Sequence, residues 1–133
     1  MTKKRVTYPS DLARCGIAPI SAAVQWGDII FLSGFVPLDP RSRSVVGDDI
    51  ESQAKMVLEQ LRDTLERAGS DLTYVLRLEC FLSDPSDFPG WNRVFARYFP
   101  DAPPARITQV AQFVEEGVLI QVSGVAAIPT TVQ

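Results

Sequence analysis

Apolar residues recur along this chain in two periods. From Asp49 to Ala68 they fall at Ile50, Ala54, Val57, Leu58, Leu61 and Leu65, a single stripe at helical spacing. Asp48 or Asp49 can cap the start of that helix, and Gly69 can close its end. Glu51, Lys55, Glu59, Arg62 and Glu66 take the opposite side, the charge alternation of a solvated face. A second helix is predicted over Asp87 to Phe99, with Phe88, Trp91, Val94, Phe95, Tyr98 and Phe99 as its apolar side. Pro89 falls in its first turn, where proline is tolerated, and Pro100 stops it.

Elsewhere the period is two. Ala22 to Trp26 and Ile29 to Leu32 read as strands around a Gly27-Asp28 turn, and Ser33-Gly34 ends the second. Tyr74 to Ser83 alternates, with Leu76, Leu78, Cys80 and Leu82 on one face and Arg77, Glu79 and Phe81 on the other. The first face wants a helix over it; the second meets water or another subunit. Ala105 to Phe113 and Gly117 to Ala127 are two more strands, joined through Val114-Glu115-Glu116 in a hairpin-like loop. The order is strand pair, helix, strand, helix, strand pair. That predicts an α+β fold, a mixed sheet with two helices packed on one face. The 133 residues suit one domain, with 1–16 as an N-terminal extension and 128–133 as a tail.

Charge and composition narrow the function. Thirteen Lys+Arg against sixteen Asp+Glu give a net charge of −3, and the one basic cluster is Lys3-Lys4-Arg5. Phosphate backbones call for a basic stripe, so nucleic acid is not expected as a partner. No apolar run reaches a membrane-spanning length, and Pro9, Ser10, Asp11 and Arg14 interrupt any signal-peptide core. The chain has no histidine, which excludes Ser-His-Asp and Cys-His nucleophiles and His-based zinc sites. The only cysteines are Cys15, in a polar segment, and Cys80, on an apolar strand face. They read as free thiols in a reducing, cytoplasmic setting.

Among residues that could carry chemistry, Arg106 is the most informative. It opens a strand directly after Pro103-Pro104, and strand parity sets it with Thr108 and Val110. Its planar fork suits a carboxylate or phosphate; the plainer reading is a surface ion pair. Ser33-Gly34 can present backbone to a ligand or simply end a strand. Asn92 is polar within an aromatic neighbourhood and either braces a loop or faces a ligand. Gln121 and Ser123 interrupt an apolar strand, lining a pocket or an open sheet face.

Taken together, Ala18-Pro19-Ile20-Ser21, Leu32-Ser33-Gly34, Pro37-Leu38-Asp39-Pro40, the helix with Gln53 and Leu58, Phe81-Leu82-Ser83-Asp84 through Asp87-Phe88, Asn92 with Tyr98-Phe99, and Pro104-Ala105-Arg106 resemble the RidA/YjgF family. The resemblance runs from about Ile17 to Ala127. It implies a chorismate-mutase-like α+β fold and a homotrimer whose sheets form a central barrel, with a small carboxylate ligand in each inter-subunit cleft. Arg77, Glu79 and Phe81 would then face the barrel interior. The family's best-known members hydrolyse enamines or imines to 2-oxo acids and ammonia, without metal or organic cofactor. Arg106 matches the arginine that holds the carboxylate, Gly34 (preceded by Ser33) a glycine at the ligand, and Asn92 a cleft asparagine. Thr108 stands where deaminase members usually have cysteine.

Three further positions depart from the deaminase pattern. Ile20 replaces a tyrosine, Phe35 a common glutamine, and Gln121 the glutamate that positions or activates water. Glutamine orients water but cannot take its proton near neutral pH. Glu79, Glu115 and Glu116 are candidate replacements. Two functions follow: an imine or enamine deaminase or related hydrolase, suited by Ile20 and Phe35 to a less polar substrate, or a non-catalytic carboxylate-binding trimer acting as sensor, chaperone or regulator. The ribonuclease activity attached to some members finds no support in a chain without histidine or a basic stripe.

Overall fold

The computed structural model describes residues 5–129; Lys3, Lys4 and the tail beyond residue 129 lie outside the described residues. In chain order the elements are strand β1 (Arg5–Pro9), a short helix α1 (Asp11–Arg14), β2 (Ser21–Trp26), β3 (Ile29–Phe35), β4 (Leu38–Asp39), β5 (Ser44–Val45), helix α2 (Ile50–Arg67), β6 (Val75–Leu82), helix α3 (Phe88–Tyr98), β7 (Ala105–Val110) and β8 (Ile120–Ala127). Six strands form one sheet in the order β1-β2-β3-β8-β6-β7, and β4 and β5 make a small hairpin beside it. The expected α+β architecture, with a mixed sheet, is present.

Helix α2 forms where the apolar stripe predicts it. Asp49 caps it by accepting a hydrogen bond from the Ser52 N–H at 2.8 Å. Gly69 follows its end at φ 81°, a left-handed turn that glycine adopts without strain. Ile50, Ala54, Val57, Leu58, Leu61 and Leu65 are all buried against the sheet. Burying each of the larger side chains contributes roughly 1.5–3 kcal/mol. Helix α3 adds Trp91, Val94, Phe95 and the following Phe99 to the same core.

The connections place both helices on one face. β6 and β7 pair in parallel, which needs a crossover, and α3 supplies it. β3 and β6 are each antiparallel to β8, hence parallel to one another, and α2 is their crossover. β7 and β8 are therefore not a hairpin, contrary to the expectation from sequence. They pair with opposite edges of β6, and Ala111 N–H donates to the Leu82 carbonyl at 2.9 Å as the chain crosses its end. β7 stops at Val110 for the same reason.

Two other expectations change. Arg5–Pro9, read as part of an extension, pairs antiparallel with β2 as the edge strand. Leu76 is 49% exposed rather than in the core. The pairing register shifts between Val75 and Arg77, so Leu76 is an extra residue turned outward by a bulge, while Leu78, Cys80 and Leu82 stay buried.

One buried amide ties the scaffold together. Gln53 on α2 is fully buried. Its Nε2 donates to the carbonyls of Gly47 at 3.0 Å and Gly117 at 2.9 Å, and its Oε1 accepts from the Leu119 N–H at 2.7 Å. It thus joins the start of α2 to the β7–β8 crossover. Replacing it by alanine removes all three hydrogen bonds and leaves a cavity where the buried amide was, so Gln53→Ala is expected to lower stability by about 2–4 kcal/mol, read from denaturant unfolding.

Candidate functional site

Arg106 lies on the helix-covered face of β7, in register with buried Leu78 of β6. Its Nη2 donates to Asn92 Oδ1 on α3 at 2.7 Å. Its guanidinium carbon sits 4.5 Å from the Phe95 ring centre, 5.6 Å from that of Phe88 and 5.9 Å from that of Trp91. Phe88, Trp91, Asn92 and Phe95 recur at helical spacing, so one face of α3 builds the whole wall. Aromatic faces attract the cation and fix the plane of its fork. Among the described residues no carboxylate lies within salt-bridge distance of Arg106. A half-buried guanidinium held this way keeps donors for an anion. Asn92, its oxygen engaged by Arg106, keeps an amide N–H₂ to offer beside it.

Thr108 follows on the same face, opposite Cys80. Its hydroxyl and the Trp91 indole N–H are both buried without a hydrogen-bond partner of ordinary geometry, although both lie beside the Cys80 thiol. Burial pushes that thiol up to about 12, outweighing the nearby Arg106 charge and the two polar neighbours. Cys80 is therefore a neutral packing group beneath the arginine.

A second group of expected residues assembles elsewhere. The β3–β8 register shifts between Leu32 and Phe35, making Ser33-Gly34 a bulge rather than a strand end. Ser33 donates its hydroxyl proton to the Ser21 carbonyl at 2.6 Å. Gln121, opposite Phe81 on β8, lays its side chain against Gly34. A Cβ at Gly34 would come within 2.5 Å of Gln121 Nε2, so any larger residue there would have to displace that amide. Ile20, Ser33 and Gly34 also border a cavity of about 110 Å³.

The two groups do not meet within one chain. Arg106, Asn92 and Thr108 occupy the helix-covered face at the β7 edge. Gln121, with Phe81 and Glu79, points to the opposite face, because its neighbours Ile120 and Val122 are buried under the helices. That opposite face also exposes Phe31 and Ile107. Of the three candidate replacement bases, Glu79 shares the Gln121 face and lies 3.8 Å from Arg77. Glu115 and Glu116 are exposed in the crossover loop. Among the described residues no cluster of side chains suits a metal ion. Sequence reasoning missed the aromatic wall of Arg106, although the 88/91/92/95 spacing carried it.

Comparisons with known proteins agree with this fold. The family model described as endoribonuclease L-PSP matches residues 13–128. The chain is 40% identical over 124 residues to protein DfrA of Myxococcus xanthus, covering 92% of this chain and 95% of that one. It is 35% identical over 112 residues to the 3-aminoacrylate deaminase RutC of Acinetobacter baylyi, covering 84% and 89%. Its fold matches the crystal structure of RidA from the Antarctic bacterium Psychrobacter sp. PAMC 21119 with a TM-score of 0.82 at 27% identity, covering 92% and 99%.

The thiols give a direct check on the Arg106 neighbourhood. Cys80 is fully buried and protonated at pH 8, whereas Cys15 is partly exposed. An aromatic disulfide reagent should modify one thiol per native chain and two after unfolding. Because the folded thiol titrates above its unfolded value, its contribution to stability is complete below about pH 9 and falls as pH rises toward 12.

Proposed function

The chain belongs to the RidA/YjgF family, and on that premise we propose that it binds a small carboxylate-bearing imine, enamine or related unsaturated intermediate and hydrolyses it to an oxo acid. The observation that supports this most directly is the guanidinium of Arg106, walled by aromatic rings and hydrogen-bonded to Asn92, with no carboxylate partner among the described residues. The name of the RutC relative, a 3-aminoacrylate deaminase, favours the same class of reaction.

The proposed site needs two copies of the chain. Arg106, Asn92 and Thr108 of one copy would meet Ile20, Ser33, Gly34 and Gln121 of the next in a cleft between subunits of a homotrimer. The exposed Phe31, Leu76 and Ile107 give the uncovered sheet face the apolar area that such an assembly would bury. The cytoplasm is the setting we propose, from the two free cysteines.

In the proposed reaction Arg106 pairs through two N–H donors with the substrate carboxylate. Water then adds to the adjacent C=N carbon, its proton passes to nitrogen, and the carbinolamine collapses with loss of ammonia. Gln121 positions the water by hydrogen bonding. It does not remove the proton, and the absence of a general base at such a place costs typically about 10²–10⁴-fold in rate. No metal or organic cofactor enters these steps. The apolar Ile20 and Phe35 suit a substrate less polar than a short imino acid.

Gln121 also supports a second reading, a trimer that holds a small carboxylate without turnover as a sensor, chaperone or regulator. Ammonia release from freshly generated 2-iminobutanoate separates the two. The enzyme reading expects acceleration over the uncatalysed rate, a loss of about 10–100-fold in Arg106→Ala, and a gain in Gln121→Glu. Measurable 2-oxobutanoate binding with no acceleration in either the parent chain or Gln121→Glu would establish the binder and sink the enzyme.

A further inference from the structure

Thr108 stands two residues beyond Arg106 on the same face of β7, directly opposite Cys80 of β6. The residue as a whole is partly exposed, yet its hydroxyl oxygen is shielded from solvent and lacks a hydrogen-bond partner of ordinary geometry. That oxygen lies beside the Cys80 thiol, as does the indole N–H of the fully buried Trp91. A threonine Cβ carries one hydroxyl, one methyl and one hydrogen. With the hydroxyl turned in against the thiol, what Thr108 shows outward is methyl and backbone. Rotating the hydroxyl out would either drive the methyl into the space beside the thiol or leave that space empty. Both are costly in a packed core, and branching at Cβ makes the side chain stiff.

We propose that Thr108 determines specificity in the carboxylate cleft by offering the ligand a methyl group in place of a hydroxyl. It thereby selects 2-oxo acids, and the imines and enamines that give them, with an apolar tail over isosteres that end in a hydroxyl. The proposal rests on the cleft described under the proposed function, in which Arg106 holds the carboxylate. Two residues of strand span about 6–7 Å. A ligand anchored by its carboxylate on Arg106 therefore lays its tail toward Thr108.

The selection follows from desolvation. A ligand hydroxyl arriving at a methyl gives up its water and gains no side-chain partner there, whereas a ligand methyl gives up none. The Thr108 hydroxyl and the Trp91 N–H cannot serve it, because both are covered. Ile20, brought from the next chain in the proposed cleft, supplies a second apolar surface and is 38% exposed in the single chain.

The test compares 2-oxobutanoate with 3-hydroxypyruvate, which differ only in a methyl group against a hydroxyl. Calorimetric titration of the full chain is expected to show 2-oxobutanoate binding tighter by about fivefold or more. Thr108→Val keeps the methyl and replaces only the inward hydroxyl. It should retain that preference, with an unfolding midpoint at or above that of the parent chain. Thr108→Ser keeps the hydroxyl and deletes the methyl. It should bind 2-oxobutanoate about three- to fivefold more weakly and bring the two acids to within about twofold of one another. This single-methyl deletion keeps the comparison decisive if Thr108→Val does not fold. Binding that Arg106→Ala abolishes, but with 3-hydroxypyruvate equal or tighter, overturns the proposal and leaves the carboxylate cleft standing. So does a preference lost in Thr108→Val and kept in Thr108→Ser. Binding of neither acid, or binding indifferent to Arg106→Ala, overturns the cleft and the proposal with it.

Discussion

Strand β6 has two hydrogen-bonding edges, and the placement of every candidate side chain follows from what occupies them. β7 takes one edge in parallel and β8 the other antiparallel. The parallel partner can be reached only through a crossover, so α3 must pass over the sheet and return at β7. The same rule carries α2 between β3 and β6. Both helices then cover one face, and their apolar stripes and the buried residues of the strands close a single core. α3 consequently lies over the edge strand that begins with Ala105-Arg106. Asn92 and the aromatic rings reach Arg106 because the topology leaves α3 there, not because they are near in sequence.

That placement has an electrostatic consequence. A guanidinium in half-buried surroundings is costly to desolvate unless something replaces water around it. Here the replacement is three aromatic faces and one amide oxygen, which orient the group without cancelling its charge. The exposed ion pairs elsewhere, such as Arg62 with Glu59, hold arginines that are already neutralised. Arg106 differs from them in having no carboxylate partner among the described residues. Below it, Cys80 contributes volume only, since burial keeps the thiol protonated.

Much of the fold was legible in the sequence because periodicity reports faces. The stripe of α2 and the Asp49 cap needed only spacing and residue type. Pairing partners are not periodic, so adjacent strands β7 and β8 looked like a hairpin although β6 separates them. Parity fails at bulges: one extra residue at Leu76 reverses the face, and the Ser33-Gly34 bulge extends a strand that seemed to end. Arg5–Pro9 mixes charge, polar residues and proline, and its pairing as an edge strand depends on β2 rather than on its own pattern. Arg106 and Asn92 were recognisable singly, but their contact spans 14 residues and exists only through the crossover.

The separation of Arg106 from Gln121 constrains any account of the chemistry. One chain holds the Arg106 guanidinium on the helix side of the β7 edge and the Gln121 amide on the far face of β8. No side-chain rotation joins groups on opposite faces of a sheet whose strands are fixed by ladder hydrogen bonds. A ligand that uses both would have to bridge two chains, and assembly would then be part of the site rather than an addition to it. On the proposed reading, carboxylate recognition would reside in each chain, because Arg106 is oriented by its own chain's aromatic wall, and positioning of water would reside in the pairing of chains. A deaminase and a carboxylate-binding trimer would thus share the first half of the site and differ in what the second half does. The residue that separates them is the one whose amide rests on Gly34.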